Sequence, residues 1–130
     1  MSNDVDFIKK AIVGELESMQ VYRILANDAQ NEDLKDLFLN LANSEQLHLH
    51  LLQSMYFELT HENYIPKMNP IDPNTPAEAL IDQQITKEIA AIESYQRQAT
   101  LTNNPRFKSL YTGIANDENI HTLKLLNLQK

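Results

Sequence analysis

The chain has 130 residues, 42% of them hydrophobic, with two glycines, no cysteine and a net charge of −7. That length suits one domain with a real core, and the scarcity of glycine suits a mostly helical one. The missing cysteines exclude disulfides, thiolate metal sites, cysteine-ligated iron–sulfur clusters and a rubredoxin-type iron centre within these residues.

The acidic balance argues against a general nucleic-acid surface, and its plain reading is solubility. No apolar run reaches the ~18 residues of a membrane span. The acidic start, Met-Ser-Asn-Asp-Val-Asp, lacks the basic and apolar regions of a signal peptide. The expected compartment is therefore the cytoplasm, with no membrane contact.

A first helix is expected over residues 4–30. Asn3 can cap it, with Asp4 and Asp6 in the first turn, where the helix dipole favours anions. Phe7, Ile8, Ala11, Ile12, Glu15, Met19, Tyr22, Ala26 and Ala29 follow the spacing of a buried stripe. Glu15 is the member that does not belong in a core. Asn31-Glu32-Asp33 reads as a tight turn and the cap of a second helix, expected to reach residue 61. Its stripe is Leu34, Phe38, Leu41, Ala42, Glu45, His48, Leu52, Met55 and Leu59, again with polar groups at one level only.

Residues 62–74, with Pro66, Pro70 and Pro73, form the one long irregular stretch. Extended, about a dozen residues span roughly 40 Å, the length of a helix of about 26 residues at ~1.5 Å each. The stretch can therefore cross a whole bundle, although an interdomain linker would look the same.

Thr75-Pro76-Ala77-Glu78 is a strong start signal for a third helix, with threonine as cap, proline at the first position and glutamate closing the box. Leu80, Ile81, Ile85, Glu88, Ile92, Tyr95 and Ala99 form its stripe. Asn103-Asn104-Pro105 is a turn, and a fourth helix follows through Leu110, Ile114, Glu118, His121, Leu125 and Leu128. The expected architecture is a single all-α domain over 1–130. It consists of a helical hairpin over 4–61, a crossover over 62–74 and a second hairpin over 76–129.

The halves repeat. Ile12, Glu15, Tyr22 and Ala26 correspond to Ile85, Glu88, Tyr95 and Ala99. Ala42, Asn43, Glu45, His48 and Leu52 correspond to Ala115, Asn116, Glu118, His121 and Leu125. In an antiparallel hairpin, residues equidistant from the turn lie level. The midpoint of Glu15 and Glu45 is Gln30, and that of Glu88 and Glu118 is Asn103, each in or beside a predicted turn. Each hairpin thus brings two glutamates and one histidine to one level.

Glu-x-x-His also occurs at Glu58 and His61, so the motif alone is weak. That copy lies off the inward face and has no level partner, and His50 points away from His48. The meaning lies in the doubled four-part set. Four buried carboxylates with no lysine or arginine on the facing stripes are very costly. Two divalent cations cancel them, with the imidazoles bound neutral. Oxygen and imidazole donors suit iron or manganese, with zinc or calcium able to occupy the same donors.

In these residues the chain resembles the ferritin-like di-iron carboxylate superfamily, closest to its rubrerythrin and bacterioferritin branches. The resemblance covers nearly the whole chain and implies an antiparallel four-helix bundle made of two hairpins joined by a long crossover. It implies Glu15 and Glu88 as largely terminal ligands, Glu45 and Glu118 as bridges, and His48 and His121 as ligands to one metal each. Tyr22 and Tyr95 match tyrosines that pack beside such sites and hydrogen-bond a ligand carboxylate; both also fit as ordinary core aromatics.

There are departures. Ala91 stands where rubrerythrins carry a further glutamate. Asp117 matches an aspartate that supports the histidine of the other half, but Ser44 occupies its place in the first half, so the two metal positions need not be equivalent. Met19 and Met55 read as core rather than as haem ligands.

The resemblance implies an oxidoreductase with two iron ions, oxidising Fe(II) or reducing peroxide or dioxygen at a Glu4His2 site. A peroxidase needs a separate electron-donor protein, and a homodimer is expected. A non-catalytic iron-binding or storage protein is the alternative; a large cage is less expected, because the chain ends soon after the fourth helix. A metal-free structural bundle is a third reading.

Overall fold

The computed structural model describes residues 3–129. Among them are four helices and no strand: α1 (Asp4–Asn27), α2 (Glu32–Thr60), α3 (Ala77–Leu101) and α4 (Pro105–Asn127). Three of the starts use asparagine to take up first-turn amides that have no partner inside the helix. The Asn3 side-chain oxygen accepts from the Asp6 N–H at 3.3 Å, and its carbonyl accepts from the Phe7 N–H at 3.1 Å. Asn31 is extended and accepts from the Leu34 N–H at 2.9 Å. Asn104 accepts from the amides of Arg106 and Phe107 at 2.9 and 3.2 Å, with Pro105 next to it, where no N–H is needed. At α3 the Pro76 carbonyl accepts from the Leu80 N–H at 3.1 Å, and the helix proper begins at Ala77.

α1 stops short of the predicted residue 30. Its last bonds run from Asp28 N–H to the Ile24 carbonyl and, in a tighter three-residue step, from Ala29 N–H to the Ala26 carbonyl. The chain then needs Asn31 extended in order to cap α2. α2 ends at His61, which adopts the left-handed conformation (φ 61°) and returns its N–H to the Phe57 carbonyl at 2.7 Å.

The chain forms two compact units. One is Ile8–Leu80; the other joins the start of α1, through Phe7, to the chain from Ile81 onward. In the first, α1 and α2 form an antiparallel hairpin around a core that includes Ile12, Leu25, Leu41, Leu52 and Met55, all buried. Tyr64 fastens the beginning of the crossover to this hairpin. Its ring lies 5.6 Å from that of Tyr56 and 5.1 Å from the Lys9 ammonium. Leu59, on the predicted inward stripe, is exposed.

In the second unit α3 and α4 form the matching hairpin, with Phe107, Tyr111, Ile114 and Leu125 at its centre. Asp4 plays a part here beyond the helix dipole. One carboxylate oxygen accepts from the Tyr111 hydroxyl at 2.8 Å and from Gln98 Nε2 at 2.9 Å, and the other accepts from the Thr102 hydroxyl at 2.9 Å. The phenol is thereby held well above its ordinary pKa, through burial first and the Asp4 carboxylate second. The corresponding places in the first half are Leu25, Ala29 and Phe38, which carry no such donors. Phe7 seals the cluster, edge-on to both Tyr95 and Tyr111 at 5.4 and 5.2 Å. No helix among the described residues is long and apolar enough to cross a membrane.

Candidate metal centre

In the first hairpin, Glu15 comes from the middle of α1, and Glu45 and His48 come from the middle of α2. Residues three apart share a helix face, so Glu45 and His48 point the same way, and the turn at Gln30 puts Glu15 level with Glu45. His48 Nδ1 lies 3.5 Å from Glu15 Oε1 and 3.4 Å from Glu45 Oε1. Glu15, Glu45 and His48 are all buried, at 3%, 0% and 2% exposure.

The second hairpin builds the same triad from α3 and α4. His121 Nδ1 lies 3.2 Å from Glu88 Oε2 and 3.1 Å from Glu118 Oε1, and Glu88, Glu118 and His121 are also buried. Within each triad the candidate ligand atoms lie within 4.8 Å of one another. Both histidines present Nδ1 to the carboxylates.

The donor chemistry of these triads fits a hard or borderline divalent cation. Among the described residues the buried polar set is four glutamates, two histidines, two glutamines, a serine and a threonine, with no lysine or arginine. Protein cations therefore do not neutralise the four carboxylates from within the core. Only protons or metal ions can.

His121 shows the proton's part. Burial alone lowers the pKa of an imidazole, but hydrogen bonds and charge from Glu118 and Glu88 outweigh it and raise this one to about 9. In the metal-free protein the folded value then lies above the ordinary 6.5. The stabilisation from this proton is fully present below about 6.5 and is lost as the pH rises through about 9. Melting the chelated protein across that window should show a decline that His121→Gln removes. A pH-independent melting point would show that the imidazole carries no such proton.

Tyr22 and Tyr95 are buried, each two turns after the α1 or α3 glutamate; Tyr95 packs against Phe7 and Tyr111. Asp117 is exposed and Ser44 half-buried. Glu58, His61 and His50 are exposed, as the helical spacing predicts for them. Ala91 is half-buried and brings no ligand.

One polar residue beside the triads escaped the sequence reading. Gln84, 1% exposed, donates from Nε2 to Glu88 Oε1 at 3.1 Å. The available signal was its place four residues before Glu88, on the same face of α3.

A model of the rubrerythrin family matches residues 6–129, and the chain belongs to that family. It is 29% identical over 119 residues to an uncharacterised protein of Bacillus subtilis, YhjR, an alignment that covers 92% of this chain and 81% of that one. Its fold is that of ferritin-like four-helix bundles. A Thermotoga maritima protein described as a ferritin-like diiron-carboxylate protein superposes with a TM-score of 0.78 at 22% identity, covering 98% of this chain and 94% of the other. CopM in a Cu(I)-bound form superposes with a TM-score of 0.84 at 14% identity, covering 98% and 96%. At these identities the two structures establish the fold alone.

Proposed function

We propose that this chain is a di-iron carboxylate oxidoreductase that reduces peroxide or dioxygen, or oxidises Fe(II), at a site made by Glu15, Glu45, His48, Glu88, Glu118 and His121. Glu45 and Glu118 would serve both metals, Glu15 and Glu88 would end the set, and each histidine would serve one metal. The observation that carries this reading is the twofold construction: each hairpin buries two carboxylates against one imidazole Nδ1, with no buried cation among the described residues. Family membership and the diiron-carboxylate description of the Thermotoga protein support iron as the metal. The same donors accept manganese or zinc.

When bound, a pair of Fe(II) ions supplies the two electrons that, with two protons, split the O–O bond of peroxide into two waters. The protein's own contribution is binding, orientation and proton release. The carboxylates would hold the ions by charge. The imidazoles would bind through Nδ1 as neutral ligands, so the proton on His121 would have to leave when metal enters. Tyr22 and Tyr95, both buried, support the ligand carboxylates and help to keep water out; Asp117 is assigned an outer supporting role. A separate electron donor returns the pair to the reduced state if the protein is a peroxidase.

The test is anaerobic loading with Fe(II), followed by rapid mixing with peroxide or with oxygen, read by ultraviolet absorption. Two Fe(II) per chain and a fast rise in absorption, larger with one oxidant, support the reading. No response to either oxidant sinks it. Oxidised iron that leaves the site and accumulates identifies storage instead.

A further inference from the structure

The two triads repeat, but the residue behind the terminal glutamate does not. Gln84 stands one turn before Glu88 on α3; the same place before Glu15 on α1 is Ala11. Gln84 is almost fully buried in a stripe whose neighbours Leu80 and Ile85 are apolar. A buried amide is costly unless it is hydrogen-bonded, so an aliphatic residue would be the simpler filling.

The Glu88 carboxylate supplies that bond. Its Oε1 accepts from Gln84 Nε2 at 3.1 Å, while its Oε2 is 3.2 Å from His121 Nδ1. One oxygen thus faces the amide and the other the His121 imidazole. Alanine offers no donor at the matching place.

We infer that Gln84 is a positioning residue that holds Glu88 as a one-oxygen metal ligand, so that the metal position of the second half differs from that of the first. This rests on the di-metal reading above. Partners that orient ligand carboxylates typically matter ~10–100-fold in metal affinity.

Co(II) is a suitable probe, because its visible absorption reports the coordination of each ion. Titrating the full chain should load two Co(II) per chain. Gln84→Ala, which copies the first half, should still load two, with one affinity weakened ~10–100-fold and the visible spectrum of that ion altered. Gln84→Met keeps the volume without the donor and should do the same. Chelated melts show whether each variant folds.

In a His48→Ala background, which leaves the second half's histidine in place, the loss should persist. In a His121→Ala background it should vanish. An unchanged or tighter second-half site, or equal weakening of both sites, overturns the assignment of Gln84. A wild-type chain that takes up fewer than two Co(II) overturns the di-metal reading itself.

Discussion

Glu45→Ala or Glu118→Ala should each abolish the binding of a metal pair. Both glutamates are buried, at 0% and 1% exposure. Each lies one helical turn before its histidine, with Oε1 3.4 and 3.1 Å from the imidazole Nδ1. In the proposed site both ions share them, so their loss should weaken both positions, by more than the ~100-fold upper range for partners that only orient a ligand.

The control is built into the chain. Glu58 and His61 repeat the same three-residue spacing but are exposed at the end of α2, and Glu58→Ala and His61→Ala should leave binding within error of wild type. Metal per chain after gel filtration measures all four variants. If the surface pair mattered as much as the core pair, the assignment of helix faces would be wrong.

Chelation should produce the second large effect. In the metal-free state the core holds four carboxylates with no buried lysine or arginine among the described residues, and each buried charge costs several kcal/mol. The proposed site exists only in the folded arrangement. At 100 times the dissociation constant one site contributes about 2.7 kcal/mol, and two contribute about 5 kcal/mol. For a chain of this size that corresponds to a rise in melting temperature on the order of 15 °C.

The Glu118→Ala variant should melt at the same temperature with and without metal. Calorimetry of the loaded and chelated wild type makes the comparison. Equal melting points would return the protein to the reading of a metal-free structural bundle.

Both predictions use residues that are legible in the sequence alone. The reason is that ligand spacing is local. Glu45 and His48, or Glu118 and His121, are three apart, and a helix turns that interval into one face. Even the long-range partners Glu15 and Glu88 could be found, because a tight turn makes an antiparallel hairpin a reflection, and reflection is arithmetic on residue numbers. Asn31 and Asn104 marked those turns through capping chemistry that depends only on near neighbours.

The structure supplied what such arithmetic does not reach. Asp4 and Tyr111 are 107 residues apart, and no periodicity links them; their bond depends on how the first turn of α1 lies against α3 and α4. Leu59 follows the inward spacing but is exposed, one residue before the end of α2. Gln84 shares a face with Glu88, yet a glutamine on a helix can as well meet solvent. Burial at 1% shows that it is committed to the carboxylate.

By itself, then, the sequence determined the four helices, the two hairpins and the six candidate ligands, since all of these follow from period, cap and reflection. The tertiary structure alone decided which polar groups surround those ligands. Their partners are chosen by packing between elements, which the order of residues along one helix does not encode. The asymmetry of Ser44 and Asp117 has a counterpart in Ala11 and Gln84, of which Gln84 is buried.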